Sequence, residues 1–486
     1  MFGTSGIRGP VGEAVDARLA VDVGRGVASE ADKVVVGRDV RETGAVLADA
    51  LSAGLRECGT DVIRLGIVST PTLARSVRWF GADAGVGITA SHNPASDNGI
   101  KLWNPSGQAF TPAQTDAIEE RLDADDAQTA PWDEFGTERP VDDASARHVD
   151  QLVATVTESD SLSATVSESD LPESVTSKAS PFEGLTIVVD LGNGTGRVTV
   201  DALYELGATV HTLDGQPDGR FPARKSEPNA ETLGALRSAV PALDADLGIA
   251  HDGDADRMVA VTAEGEYVPG DVLLALFARD AVDGAVPSDP ESARAAPDTK
   301  TTGTGTGPAR VAVPVDTSLL VADAVTEVGG EVAYTPVGDV HVAEAVSREG
   351  FVFGGEPSGA WIWPEQTLAP DGHLAALRLV SLLARRGSLD GLLDALPTDA
   401  YVTRRENIPV EDRSASMEAV ERELRDRYND IDSIDGLRVE TDDGWFLVRP
   451  SGTEPLVRVT AEAREDRAAD ELLESALDVV SANAVR

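Results

Sequence analysis

Within the stretch Ile88-Thr89-Ala90-Ser91-His92-Asn93-Pro94-Ala95-Ser96-Asp97-Asn98-Gly99-Ile100-Lys101, a nucleophilic hydroxyl (Ser91), an imidazole able to carry a proton (His92) and an ammonium (Lys101) fall close together. A second stretch, His251-Asp252-Gly253-Asp254-Ala255-Asp256-Arg257, sets three carboxylates on alternate residues. In an extended loop that spacing turns all three to one side, and clustered anions repel one another unless a cation sits among them. Oxygen-only ligands favour Mg²⁺, Mn²⁺ or Ca²⁺ over zinc. An EF-hand is disfavoured, because its sixth position, where glycine is needed, holds Arg257. The plain alternative is a solvated acidic turn. A third stretch, Arg449-Pro450-Ser451-Gly452-Thr453, offers a guanidinium, two hydroxyls and consecutive backbone N–H groups. Those are the parts of a phosphate cradle, though the same pentapeptide also makes an ordinary turn. The Ser91-His92 pair is weak evidence alone: neighbours on a strand point to opposite faces, and the G-x-S-x-G elbow of hydrolases is absent. Lys101 has a solvated strand end as its alternative, in a chain whose lysines are only Lys33, Lys101, Lys178, Lys225 and Lys300.

The elements that must carry these groups share one pattern, an apolar strand followed by a glycine-rich polar loop. Val86-Gly87-Ile88 ends a strand before Ser91, placing the serine on a loop at the carboxyl end, where open α/β sheets bind ligands. Upstream, Phe2–Pro10 reads as a glycine-punctuated loop that puts Arg8 on a flexible backbone, followed by strands at Lys33–Asp39 and Asp61–Gly66 around a helix over Thr43–Glu57. That β–α–β–α–β order predicts a doubly wound sheet. A helix from about Ala144 leads into Thr155–Asp160, nearly duplicated at Thr165–Asp170, and the Ser/Glu/Asp-rich tract reads as a solvated insertion. The turn Gly192-Asn193-Gly194-Thr195-Gly196 follows the strand Leu185–Asp190. Its G-x-G-x-G spacing suits a tight strand-to-helix turn better than a dinucleotide fingerprint. The strand Asp246–Ala250 delivers the aspartates, and a Pro/Ser/Thr/Gly/Asp-rich insertion is expected from Asp283 to Arg310. Strand Gly350–Phe353 delivers Glu356 and Ser358. Strand Gly444–Val448 delivers Arg449, after a helix around Ser416–Tyr428.

At 486 residues the chain exceeds any single core. Its 84 Asp and Glu against 41 Lys and Arg give a formal charge of −43. Such a surface repels nucleic acid and anionic membranes, so neither is expected as a partner. It suits a salt-rich cytoplasm, where a Debye length of ~3 Å at ~1 M salt screens self-repulsion. Cys58 is the lone cysteine, which excludes an intramolecular disulfide and fits a cytoplasmic location. No basic-plus-apolar leader and no apolar run of about 18 residues is found, so neither a signal peptide nor a membrane span is expected.

Together, Phe2–Gly9, Thr89–Pro94 with Lys101, Asp252–Arg257, Gly355–Gly359 and Arg449–Pro455 stand in the order and approximate spacing of the α-D-phosphohexomutases. The chain resembles that family over essentially its whole length, and most closely its glucosamine-phosphate branch. The resemblance implies three consecutive α/β domains with mixed sheets plus a C-terminal α+β domain around a central cleft. Their bounds would be 1–145 (phosphoserine loop), 146–261 (metal), 262–395 (sugar) and 396–486 (phosphate). It implies that Ser91 carries a phosphoryl group at rest and that Asp252, Asp254 and Asp256 hold Mg²⁺ together with a Ser91 phosphate oxygen. Arg8 and Lys101 would handle protons and steady the phosphate, and Arg257 would share the phosphoryl charge. Glu356 and Ser358 would read sugar hydroxyls, Gly338 and Asp339 would lie in a specificity segment, and Arg449, Ser451, Gly452 and Thr453 would form the distal phosphate site. The implied substrate is a small sugar phosphate, glucosamine 6-phosphate going to the 1-phosphate through a bisphosphorylated sugar, with an activating sugar bisphosphate. Phosphomannomutase/phosphoglucomutase activity is the alternative. A non-catalytic sensor would be expected to lose Ser91 or the aspartates. One departure weighs against the hexose reading: Ala360 stands where many hexose members have His.

Overall fold

The computed structural model describes residues 3, 6–124, 128–163, 180–285, 307–451 and 455–485. The chain forms two compact units, Met1–Leu273 with Pro357–Leu392, and Leu274–Glu356 with Leu393–Arg486.

In the first unit the chain runs β1 (Ile7–Pro10), α1 (Ala17–Ala28), β2 (Lys33–Arg38), α2 (Gly44–Glu57), β3 (Asp61–Ile67), α3 (Thr70–Trp79), β4 (Ala84–Ile88), β5 (Asp97–Trp103), α4 (Pro112–Ala124) and β6 (Glu138–Pro140). The sheet order is β1-β5-β4-β2-β3-β6. β2 pairs parallel with β3 and β4, whereas β5 runs antiparallel to β4 and β1 antiparallel to β5. Strand alternation decides the two faces. Val34, Val36, Val86 and Ile88 pack against Val23 and Val27 of α1 and Leu47, Leu51 and Leu55 of α2. On the other face Gly37 and Gly85 leave room for Leu73 and Val77 of α3, which a Cβ at those glycines would strike, and Gly87 leaves room for the Trp103 ring. Helices on both faces make this the doubly wound sheet expected.

The same unit continues with α5 (Ala144–Ser163), β7 (Thr186–Asp190), α6 (Arg197–Glu205), β8 (Thr209–Leu213), α7 (Gly234–Ala242), β9 (Leu247–His251) and β10 (Met258–Val261). Their sheet has the order β10-β9-β7-β8, with only β10 antiparallel to its neighbour. The chain leaves along α8 (Gly270–Ala285).

The second unit holds β11 (Arg310–Pro314), α9 (Leu319–Glu327), β12 (Glu331–Thr335), α10 (Asp339–Val346) and β13 (Phe351–Gly355), with β12 and β13 parallel on either side of β11. After β14 (Trp361–Ile362), α11 (Gly372–Arg386) and α12 (Leu389–Leu393), it is completed by β15 (Val402–Pro409), α13 (Arg413–Arg427), β16 (Leu437–Glu440), β17 (Gly444–Pro450), β18 (Leu456–Ala463) and α14 (Asp466–Asn483). The last sheet, β15-β18-β17-β16, is fully antiparallel. Phe446 and Val448 face Val420 and Leu424 of α13 and Val479 and Val480 of α14, while Trp445 and Leu447 face Val315 and Leu319. An antiparallel sheet with helices on one face is the α+β arrangement expected.

Several local expectations change. Arg8 lies on a strand, its residue paired with Gly99 of β5, rather than on a flexible loop. Thr155–Asp160 belongs to α5, because Leu152 and Val156 keep the apolar face of that helix going beneath a polar composition. β8 has a largely exposed pattern with no apolar run, so it left no strand signature. The start of the insertion, from Asp283, continues α8, and Arg310 already opens β11. Thr165–Asp170 and the bulk of the 283–310 insertion lie outside the described residues.

Candidate active site

Ser91 follows β4 by three residues and is 1 % exposed, with φ +48°, a left-handed conformation that a residue with a side chain adopts at a cost of about 1–3 kcal/mol. Its surroundings hold it there. The Arg41 guanidinium, wholly buried, donates from Nη2 to Ser91 O (2.8 Å) and Asn93 O (2.7 Å), from Nη1 to Pro94 O and Asp97 O (2.9 Å), and from Nε to Asp39 Oδ2 (3.0 Å). All five N–H groups of that side chain are engaged. Thr89 Oγ1 accepts from Ser91 N at 2.9 Å and lies 2.8 Å from Asp39 Oδ2 and 2.9 Å from Asp254 Oδ2. Burial raises the Asp39 carboxyl to about 6, against the pull of Arg41. The positive φ also bends the chain so that His92 Nδ1 comes within 3.4 Å of Ser91 Oγ, which strand geometry would forbid. The Arg257 charge, then burial, then Arg8 lower that imidazole to about 3. At neutral pH His92 is therefore uncharged.

The aspartates sit on the loop between antiparallel β9 and β10. One ligand atom from each of Asp252, Asp254 and Asp256 lies within 4.8 Å of the others, and all three residues are buried. Ser91 Oγ donates to Asp252 Oδ2 at 2.6 Å. The two loops touch by backbone, since a Cβ at Gly253 would stand 2.8 Å from Ser91 O. Burial, then the charges of Asp256 and Asp254, push the Asp252 carboxyl well above its usual range. Burial works the same way on Asp254, but Arg8 and hydrogen bonds from Thr70 (2.7 Å) and Thr89 outweigh it and hold that carboxyl low. Asp254 Oδ1 is buried with no hydrogen-bond partner among the described residues. A buried oxygen lacking a donor, amid three carboxylates, fits a hard divalent cation and rules out the solvated acidic turn. Lys101 is 3 % exposed in mid-β5, its Nζ 5.4 Å from the Trp103 ring centroid, so it is no solvated strand end.

In the second unit, Arg449 at the end of β17 donates to Asp435 Oδ2 at 2.9 Å, and the same oxygen accepts from Val337 N at 3.0 Å. Gly338, at φ +130°, donates from its N–H to Glu356 Oε1 at 2.8 Å, and Asp339 opens α10. Ser451 is buried; its N–H donates to Leu456 O, and its carbonyl accepts from Arg413. Gly452 and Thr453 lie outside the described residues, as do Phe2, Thr4 and Ser5.

Family models for phosphoglucomutase/phosphomannomutase match the chain in sequence order: α/β/α domain I over 1–129, domain II over 167–265, domain III over 269–400 and the C-terminal domain over 406–479. The chain belongs to the phosphoglucomutase/phosphomannomutase family. A family relative called "probable phosphoglucosamine mutase" in Methanopyrus kandleri is 44% identical over 485 residues, covering 99% of this chain and 97% of its own. One of the same description from Methanosarcina acetivorans is 42% identical, covering 99% and 98%. Among solved structures, a phosphoglucomutase/phosphomannomutase family protein from Burkholderia thailandensis matches with TM-score 0.79 at 28% identity, covering 100% of this chain and 99% of that one.

Within this family member, several groups that hold the loops carry no motif in the sequence. Arg41 and Thr89 aim Ser91, Thr70 grips Asp254, and Asp435 ties Arg449 to the Val337–Gly338 loop. Arg224 reaches Asp190 (2.9 Å) and His251 O (2.7 Å) beneath the aspartates. A polar side chain beside a strand end was the available signal, and many surface positions share it.

Proposed function

We propose that the chain interconverts glucosamine 6-phosphate and glucosamine 1-phosphate through a phosphoserine at Ser91 and a bisphosphorylated sugar. The observation that carries this is Ser91 Oγ bonded at 2.6 Å to a buried three-aspartate cluster. In the first half-reaction the P–O bond at Ser91 breaks and one forms to a sugar hydroxyl, whose proton passes by way of a base to the departing Ser91 oxygen. In the second, the P–O bond at the other sugar position breaks, that oxygen takes the proton Ser91 gives up, and the phosphoryl returns to Ser91. Phosphoryl transfer asks for positioning and charge neutralisation more than for a strong base.

In this reading Asp252, Asp254 and Asp256, beside Ser91, would hold Mg²⁺, which would supply charge neutralisation for the phosphoryl group. Arg8, Lys101 and Arg257 spread the rest of that charge, Arg8 and Lys101 handle protons, and His92 is the uncharged imidazole beside the serine. Glu356 and Ser358 read the sugar, with Gly338 and Asp339 setting preference. Arg449, Ser451, Gly452 and Thr453 take the phosphate that is not reacting. The domains run 1–145, 146–261, 262–395 and 396–486. A sugar bisphosphate primes Ser91, and the acidic surface suits a salt-rich cytoplasm.

Support for the amino sugar comes from the relatives' descriptions and from Ala360. Specificity constants for glucosamine, glucose and mannose phosphates, in high salt with Mg²⁺ and an activating bisphosphate, test it. Glucosamine phosphate is expected to lead; equal or reversed preference would leave a phosphomannomutase/phosphoglucomutase. Intact mass should show one phosphoryl group that is lost in Ser91→Ala.

A further inference from the structure

Three of the six histidines, His148, His251 and His373, are fully buried in the first unit and lie on one hydrogen-bonded chain outside the reacting groups. His251 Nδ1 stands 2.8 Å from Arg257 O, and because a carbonyl only accepts, the proton is assigned to Nδ1. Nε2 of the neutral ring must then accept, and it takes the Thr199 hydroxyl proton at 2.8 Å. Thr199 therefore accepts from His373 Nδ1, also at 2.8 Å, and His373 Nε2 accepts from Ser69 Oγ at 2.9 Å. Ser69 Oγ lies in turn 2.7 Å from Thr72 Oγ1, which is 2.9 Å from His148 Nδ1.

At the far end His148 Nε2 lies 3.3 Å from Asp371 Oδ2, a carboxylate oxygen that only accepts and so favours a proton on Nε2. Asp371 also meets Arg75 at 2.8 and 2.9 Å and the N–H groups of His373 and Leu374. From Ser69 through His373 and Thr199 to His251 each group thus supplies one proton, and every one points toward Arg257 O. The carbonyl at one end fixes the direction of that stretch.

That carbonyl closes the base of the aspartate loop, where His251 and Met258 face each other across β9 and β10. The other end of the chain meets the head of α3, where Thr70 bonds Asp254 through both its N–H (2.9 Å) and its hydroxyl. One polar chain therefore ties together both grips on the loop, running through α6 and α11 on its way.

We propose that Thr199 and His373 are positioning residues that hold Asp252–Arg257 in cation-ligating geometry through the bond from His251 to Arg257 O. The proposal rests on reading the triplet as a metal site, and its test separates the two. Thr199→Val breaks the chain at its middle with little change of shape, leaving His251 Nε2 and His373 Nδ1 unsatisfied. Isothermal calorimetry with Mg²⁺ on the purified full chain should show affinity weakened about 10-fold, the scale seen when outer partners of metal ligands are removed. KM for sugar phosphate at saturating Mg²⁺ should move less than about twofold, and Thr199→Ser should restore Mg²⁺ affinity because it keeps the hydroxyl. A role confined to stability would lower Tm and leave Mg²⁺ affinity alone. Should Thr199→Val not fold, Ser69→Ala cuts the same chain on the other side of His373 and is expected to weaken Mg²⁺ likewise. Equal Mg²⁺ affinity in wild type and a folded cut-chain variant would overturn the proposal alone; a wild type that binds no divalent cation would overturn the metal reading and this proposal together.

Discussion

Replacing Arg41 with methionine tests whether the serine is held or merely located. Arg41→Met keeps the side-chain length and removes five donors at once: the one on Asp39 and those on the carbonyls of Ser91, Asn93, Pro94 and Asp97. Breaking a buried ion pair by deleting one partner costs about 3–5 kcal/mol, because the other charge stays buried. If the loop keeps its shape, the unfolding free energy from urea titration should fall by that amount. If the loop lets go instead, Ser91 relaxes from φ +48°, recovering about 1–3 kcal/mol of strain, and the smaller stability loss comes with a larger loss of activity. Either way kcat should fall at least about 100-fold, since each ~1.4 kcal/mol of lost alignment is a factor of ten. The double variant Asp39→Asn/Arg41→Met separates the two effects: it removes the stranded charge and should regain most of the stability, but not the turnover, because the carbonyl clamp is still missing. A double variant that recovers both, or a single variant with wild-type kcat, would refute the reasoning.

EDTA should abolish turnover and Mg²⁺ should restore it, since the three carboxylates cannot share that burial with a phosphorylated serine uncompensated; activity indifferent to chelation would count against the metal reading. Asp435→Ala should raise KM for sugar phosphate about 10-fold, the scale of one charge-assisted bond at ~1.5–3 kcal/mol, because Arg449 and Val337 lose a shared anchor; a lower KM would mean that Asp435 restrains Arg449 instead of aiming it. Burial holds the His148 imidazole below its usual value, so below pH 6.5 the unfolded chain binds a proton that the folded chain refuses, and stability must fall with pH. The stability advantage of wild type over His148→Gln, from urea midpoints at pH 7 and pH 5, should therefore narrow at pH 5.

What could be read in the sequence was local. An apolar run ending in glycine and polar residues is written within a dozen positions, so β2, β4, β9 and β17 and the loops they deliver were legible. Arg41 was not, because the carbonyls it holds lie fifty or more positions away and a buried arginine looks in sequence like an exposed one. His148, His251 and His373 carry no shared spacing for the same reason. β8 failed on composition, and α5 was cut short because Ser, Glu and Asp on its exposed side masked the buried stripe of Leu152 and Val156. Arg8 was misjudged because glycines suggested a loop, whereas pairing with β5 makes those residues an edge strand.

The first unit is discontinuous: it takes residues up to Leu273 and then Pro357–Leu392. Arg75 and its partner Asp371 are 296 residues apart. On a ribosome adding roughly 5–20 residues per second, that partner emerges about 15–60 s after Arg75. Until then Arg75 has no buried carboxylate to meet, and His251 and Thr199 lack His373. The head of α11, whose Gly372 sits so close that a Cβ would be 2.4 Å from Arg257 O, is also missing from the aspartate loop. The nascent chain can thus build the sheet that presents Ser91 long before it can finish the loop opposite, and competence for chemistry arrives only after most of the polypeptide has been translated.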